Sequence, residues 1–461
     1  MSEYRLTVGL EIHAELNTKT KMFCNSKNDT NEEKPNTNVC PVCLGYPGTL
    51  PAINKEAVRS VLRLGCAVDG KIADYTEFDR KNYFYPDIPK GYQISQYKHP
   101  LVEGGKLAGV NITRIHLEED TARSIHSESG ESLLDFNRAG TPLLELVTEP
   151  VIHDKETAVR FAKEFQLLIS KAYLDISHAD MEKGEMRVEA NISIAKGGTL
   201  GTKVEVKNLN SFKAVEKAIA FEVVRQTEIL EKGEKVSQET RGWDEVKEVT
   251  FSQRAKESAH DYRYFPDPDL PKLFIKDVKD FSTNNLEKSL PELPEEKRMK
   301  YRKDLKLKDS DIEIYVREPE WGRLMEETAK ILKDKKLSQL ASNYIASDLK
   351  VPIPAKSLAE VIVMISKGEI SSRGAKDILK IIETKGGGAK DIAEENNLIQ
   401  KSGTDELRIV VEKIIKENPK AVTEYKNGKL PSLQFLVGQA MKATGGSANP
   451  QVLKELFTKI I

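Results

Sequence analysis

The chain has 461 residues, 39% of them hydrophobic, and its 71 Lys and Arg nearly balance 72 Asp and Glu. That length predicts two to four domains with real cores, and the charge balance excludes a wholly basic nucleic-acid coat while leaving room for local basic patches. No apolar run approaches 18 residues, the first residues lack the basic-then-apolar order of a signal peptide, and four cysteines make no disulfide framework, so the expected location is cytoplasmic with reduced thiols.

In chain order, VGLEIHAEL alternates Val8, Leu10, Ile12, Ala14 and Leu16 with Glu11, His13 and Glu15, the period of a strand with one polar face. Glu11 and His13 point the same way, about 7 Å apart. The pair suits a metal or general acid–base site, and equally an exposed edge with incidental charges. Next, Cys40-Pro-Val-Cys43-Leu-Gly reads as a zinc knuckle with Cys24 as a third thiolate, but Asn25 and Ser26 stand where a fourth would be expected. Cys66 falls in a predicted helix over 54–68, as a small apolar residue. Residues 77–96 then interleave Asp79, Arg80, Lys81 and Lys90 with Tyr83, Phe84, Tyr85 and Tyr92. Such a stretch grips phosphates while stacking on bases or ribose, or packs as a proline-rich loop on the core.

Residues 112–150 hold His116, Glu118, Glu119 and Asp120 within five positions, then Asp135, Arg138, Glu145 and Glu149. A solvated strand-and-turn surface and a Mg²⁺ site both fit one such run. The recurrence of acidic clusters at 8–16, 186–194 and 203–210 favours the cation site. Between them, the spacing predicts an amphipathic helix over 154–173 capped by Asp154. Alternation returns in MRVEANISI and TKVEVKNLNSF, where Arg187, Glu189 and Asn191 share one face and Lys203, Glu205 and Lys207 another. Asn208, Asn210 and Ser211 are good caps for a helix from Phe212 to about Lys232, with Gly233 as the stop. DYRYFPDPDLP closes this half with a further aromatic, Arg and acid cluster.

These patterns predict an α+β fold: a domain over 1–290 with a mainly antiparallel sheet, an all-helical domain over 291–404, and a small helical tail over 405–461. The first boundary lies in the polar, proline-punctuated stretch after Phe281. In the tail, two short helices joined by the glycine turn 444–450 and a modest basic excess fit contact with a nucleic-acid backbone or a self-contained bundle. There is no Walker A loop, no G-x-S-x-G elbow and no amidase-type Ser/Lys signature. ATP, if used, is therefore handled by metal and lysines on a sheet, and ammonia, if used, is released by another protein.

Nine stretches in order, VGLEIHAEL, CPVCLGYPGTLPAIN, FDRKNYFYPDIPKGYQISQ, HLEEDTARS, FNRAGTPLLELVTEP, KVEVKNLNSF, DYRYFPDPDL, LPELPEEKR and LVGQAMKATGGSANPQ, make the chain resemble the B-subunit family of aspartyl/glutamyl-tRNA amidotransferases from end to end. The resemblance implies a cradle-like sheet domain, a helical domain and a tail that holds tRNA. It also implies a C–N-forming ligase that uses ATP and Mg²⁺ to phosphorylate the side-chain carboxylate of Asp-tRNA(Asn) or Glu-tRNA(Gln). Ammonia from glutamine then arrives from an A subunit, in a heterotrimer completed by a C subunit. It assigns Glu11, His13, Glu119 and Glu205 to the metal, with Glu118 and Glu145 as catalytic groups beside them. Lys81 and Lys90 fall to the ATP phosphates or the acyl phosphate, and Arg187 and Arg263 to phosphate or substrate. Zinc at Cys24, Cys40 and Cys43 stays open, because Ser26 stands where zinc-containing members have a second cysteine. A related archaeal protein, restricted to Glu-tRNA(Gln), carries a large inserted domain, and nothing of that size follows DYRYFPDPDL here. An ammonia-dependent ligase acting on a free amino acid and a non-catalytic tRNA-binding subunit are the alternatives.

Overall fold

The computed structural model describes residues 4–126, 130–255, 262–400, 404–444 and 448–461. The chain divides once, into Met1–Leu293 and Pro294–Ile461.

The first unit is built on a ten-stranded sheet. Its order is Val249–Ala255, Glu239–Asp244, Val204–Leu209, Met186–Lys196, Tyr4–Glu15, Pro142–Thr148, Val110–Glu119, Val102–Glu103 and Lys71–Ile72, with Lys106–Leu107 paired to Val110–Glu119 off that path. Among the described residues its pairings are antiparallel except that of Val204–Leu209 with Glu239–Asp244.

Period-2 alternation sends the apolar half of each strand to one face. Leu10, Ile12, Ala14, Leu117, Leu144, Leu146 and Val188 are all fully buried there. Three helices supply the other side of that core, Lys55–Ala67, Lys155–Ile169 and Phe212–Glu231, through residues such as Val61, Phe161, Phe165 and Ala218. Their starts are fixed by Asn54, Asp154 and Ser211, each accepting first-turn backbone N–H groups that would otherwise lack a partner. With helices on one face only, the opposite face is left for polar side chains. A three-stranded ribbon, Asp79–Asn82 with Tyr92–Ser95 and Phe265–Pro266, docks at the end of the His116 strand through Ile94 N–H, which donates to Glu119 Oε1 at 3.0 Å.

The second unit is helical among its described residues, apart from one bridge between Ile370 and Ile399. Among its described residues the tail contains four helices, Thr404–Glu417, Pro419–Lys426, Leu430–Ala443 and Pro450–Ile460, where the sequence pattern suggests two. Proline at the first position of Pro419–Lys426 starts a helix, and Gly428, at φ +88°, ends one. The four enclose their own apolar cluster, centred on Val411, Leu436, Leu453 and Phe457. No helix among the described residues is long and apolar enough to cross a membrane.

Candidate active site

Strand register decides which polar side chains meet. His13 lies opposite Arg187 on one side and Glu145 on the other, and Glu145 lies opposite His116, so one row of four runs across four strands. Two residues along, Glu189, Glu11, Val147 and Arg114 form the next row. Apart from Val147, both rows line a cavity of about 460 Å³, together with Lys81, Glu118 and Glu205.

Among the described residues the polar face contains two clusters with metal-ligand spacing. In the first, His13, Glu118 and Glu145 each offer one ligand atom, all within 4.8 Å of one another. His13 Nε2 is 3.3 Å from Glu145 Oε2, and His116 Nε2 is 3.4 Å from the same oxygen and 3.6 Å from Glu118 Oε1. Ser95 Oγ and Gln93 Nε2 donate to Glu118 at 2.6 and 2.9 Å, and Lys81 Nζ is 4.0 Å from its Oε1. Burial is the largest influence on these carboxylates and opposes ionisation, yet the cations win. Lys81 and His116 hold Glu118 down to about 2, and His116 and His13 hold Glu145 well below its usual range. Reciprocally, burial works against charge on His116, but Glu145 and Glu118 push it up to about 9.

In the second cluster, Glu11, Glu189 and Glu205 converge with the same spacing. Asn191 Nδ2 donates to Glu11 at 2.7 Å, Thr240 Oγ1 to Glu205 at 2.8 Å, and Lys207 Nζ lies 2.9 Å from Glu189. Burial, and then the charges of Glu145, Glu189 and Glu205, raise the Glu11 carboxyl above its ordinary value. A site whose carboxylates repel one another in this way favours a divalent cation, and three oxygen donors suit Mg²⁺. Asn191 Oδ1, buried and without a hydrogen-bond partner, adds an acceptor beside them.

The sequence-predicted residues are therefore split. Glu11 and Glu205 meet in one cluster, with Glu189; His13 joins Glu118 and Glu145 in the other. Glu119 joins neither, because consecutive residues of an extended strand face opposite ways. It pairs instead with Lys90, and the two line a separate small cavity with Cys43 and Gly140. Lys81 lines the large cavity, so the two lysines stand in different places. Arg187 Nη2 donates to Asp120 at 2.8 Å at the cavity wall. Arg263 is exposed and does not line the cavity, although Tyr262 and Tyr264 on either side do.

Cys24, Cys40 and Cys43 meet in a third cluster of metal-ligand spacing. Ser26 Oγ lies 3.9 Å from Cys43 Sγ, and the buried Lys21 Nζ donates to that sulfur at 3.8 Å and to Phe136 O at 3.2 Å. Contact with Cys24 first, and then the Cys40 amide and Lys21 against the effect of burial, bring the Cys43 thiol down to about 4, which suits a ligand thiolate. Cys66, in the helix Lys55–Ala67, is half-buried against the core and away from this group.

Glu189 and His116 are visible in the sequence as polar positions of alternating strands, but no sequence pattern assigns them to the clusters. Only register does so.

Residues 6–279 match the family described as the GatB/GatE catalytic domain, and residues 322–461 the family described as the GatB domain. The sheet unit is thus a catalytic domain of the kind those two groups share. Over 494 residues the chain is 41% identical to the B subunit of the aspartyl/glutamyl-tRNA(Asn/Gln) amidotransferase of Crocosphaera subtropica, covering 100% of this chain and 98% of that protein. The proteins of the same name from Thermoanaerobacter pseudethanolicus and Persephonella marina are 41% and 40% identical, with 99% and 100% of this chain covered and 100% of each relative. The chain belongs to the B-subunit family of the aspartyl/glutamyl-tRNA(Asn/Gln) amidotransferases.

Proposed function

We propose that this chain is the B subunit of a cytoplasmic tRNA-dependent amidotransferase, a ligase that converts Asp-tRNA(Asn), Glu-tRNA(Gln) or both to the amides. It works with a glutaminase A subunit and a C subunit, and its helical tail contacts tRNA. The observation that carries the reading is the pair of carboxylate clusters on one sheet face, with Lys81 in the same cavity beside Glu118. In the overall chemistry, an oxygen of the substrate carboxylate takes the terminal phosphoryl group of ATP and ADP leaves. Ammonia then attacks the acyl carbon and phosphate departs.

His13, Glu118 and Glu145, and separately Glu11, Glu189 and Glu205, are the residues that would hold Mg²⁺. Held there, Mg²⁺ would supply positive charge to offset the repulsion between phosphate and the substrate carboxylate. The chain's own cations do the rest. Lys81 places a half-buried ammonium where phosphoryl charge accumulates, and Arg187, held in place by Asp120, presents its guanidinium to the substrate carboxylate. His116 keeps Glu118 and Glu145 together while both are ionised. Lys90 and Glu119 brace the ribbon against the strand that carries Glu118. Zinc at the three thiols, with Ser26 or water completing the shell, would fasten the 21–43 loop near that brace, outside the phosphorylation chemistry.

The test is amide formation by the chain co-purified with its A and C partners, given ATP, Mg²⁺ and each misacylated tRNA, with either glutamine or ammonium chloride as nitrogen source. Product from both nitrogen sources, lost without ATP, is expected. Tight tRNA binding without ATP turnover from either source would contradict the reading.

A further inference from the structure

Four tyrosines line one wall of the large cavity, and nothing in the phosphoryl and amide transfer above uses them. Tyr97 and Tyr264 lie in a parallel stack, ring centroids 4.4 Å apart and planes 9° from parallel. Tyr264 meets Tyr262 edge-on at 6.0 Å, and Tyr262 meets Tyr83 edge-on at 5.9 Å. Three separate segments supply these rings, so local sequence does not account for their meeting. Arg263, at φ +46°, turns the chain between Tyr262 and Tyr264, and Asn82 Nδ2 fastens the turn by donating to the backbone oxygens of Tyr262 and Arg263 at 3.1 and 3.0 Å.

An aromatic cluster that only filled a core would be buried. Tyr97 instead keeps 46% of its surface exposed while its ring is stacked on Tyr264. Tyr97 thus lines an otherwise polar cavity while close to half of it stays accessible. From this wall inward the chemistry changes in order: Lys81 Nζ lies 5.2 Å from the Tyr262 ring centroid and 4.0 Å from Glu118 Oε1, which belongs to the first carboxylate cluster. Aromatic surface, ammonium and carboxylates follow one another across the site. A ligand that matches this sequence has a flat base at one end and a phosphate or a carboxyl ester at the other.

We propose that the Tyr97–Tyr264 stack seats an adenine base, continuing the stack by one ring, with Lys81 beyond it as the cation for the far end of the ligand. The inference rests on the proposed use of ATP and charged tRNA, both of which present an adenosine: that of ATP itself, and the 3′-terminal adenosine that carries the amino acid. Stacking on an aromatic ring is indifferent to which of the two supplies the base, and its worth per base is appreciable.

The test uses the full chain with its partner subunits and compares wild type with Tyr97→Ala and Tyr97→Phe. Tyr97 is half-exposed, so its truncation leaves the core intact, and the phenylalanine variant keeps the stacking ring. Calorimetric titrations with Mg-ATP and Mg-tripolyphosphate form one arm; titrations with tRNA ending in its 3′ adenosine and with the same tRNA lacking that nucleotide form the other. In the arm whose adenosine occupies the stack, Tyr97→Ala weakens the adenosine-bearing ligand about tenfold. It leaves the ligand without the base within twofold, and Tyr97→Phe matches wild type. Loss in the ATP arm identifies the ATP base, and loss in the tRNA arm the acceptor end. Wild-type affinity of Tyr97→Ala for both adenosine-bearing ligands overturns the subsite while leaving the ATP-dependent reaction standing. Failure of the wild-type protein to bind Mg-ATP overturns the reaction itself, independently of Tyr97.

Discussion

The two carboxylate clusters share a strand, a sheet face and a cavity, yet they are in opposite electrostatic states. Around Glu118 and Glu145 stand His13, His116 and Lys81, and both carboxylates are held below their usual range against the effect of burial. Around Glu11, Glu189 and Glu205 the carboxylates dominate: Lys207 lies within 4.0 Å of Glu189 and Glu205, yet Glu11 is held above its usual range. Position on the sheet does not decide this, since His13 and Glu11 are two residues apart. Cross-strand partners decide it. The first cluster is charged and braced by the protein itself, whereas the second gains most from an added cation.

The harshest way to break the contrast is Glu145→Gln, which removes the negative charge shared by His13 and His116. ATP-dependent amide formation with ammonium as nitrogen source should fall at least about a thousandfold, with tRNA affinity unchanged in a filter-binding assay. Glu189→Gln acts on the cluster where carboxylates dominate. Its expected signature is a rise of about 10- to 100-fold in the Mg²⁺ concentration needed for half-maximal rate, with the rate largely recovered at saturating Mg²⁺.

A further carboxylate on the first strand extends the comparison to stability. Burial first, and Asp120 next, push Glu15 from 4.5 up to about 8. Between those values the folded chain holds a proton that the unfolded chain has released, so this group makes stability fall as pH rises through that window. Glu15→Gln removes the penalty. Thermal denaturation should find the variant more stable at pH 8 by on the order of 1–3 kcal/mol, with the difference vanishing below about pH 4.5. The smallest effect concerns Thr240, whose hydroxyl orients Glu205. Thr240→Val should raise the Mg²⁺ requirement about threefold and leave the maximal rate near wild type.

The α+β architecture was legible because its strands alternate cleanly. Leu10, Ile12 and Ala14 go to the core and Glu11 and His13 to the open face as their spacing predicts, and Asp154 and Ser211 cap helices as their residue types predict. What the spacing could not carry was register. A one-residue slip between strands would put Glu145 opposite a different partner and dissolve the row with His13 and His116. The same alternation that identifies the strand does separate Glu118 from Glu119, since neighbours on a strand diverge; grouping Glu119 with Glu11 and His13 follows the resemblance and not the pleat. Arg263 poses the related case at a turn, where the left-handed backbone leaves its tyrosine neighbours lining the cavity. Lys21 carries no signal at all, because a buried lysine beside thiols is recognisable only once the loops that carry them have closed.

The most direct test of a carboxylate-built phosphorylation site is formation of the acyl phosphate itself. It would be followed as ADP release dependent on misacylated tRNA, by the chain with its partner subunits, in the absence of any nitrogen donor. Wild type should release ADP only when Mg²⁺ and the misacylated tRNA are both present, and Glu11→Gln and Glu145→Gln should not. Wild-type ADP release from either variant would contradict the assignment of the reaction to this sheet face.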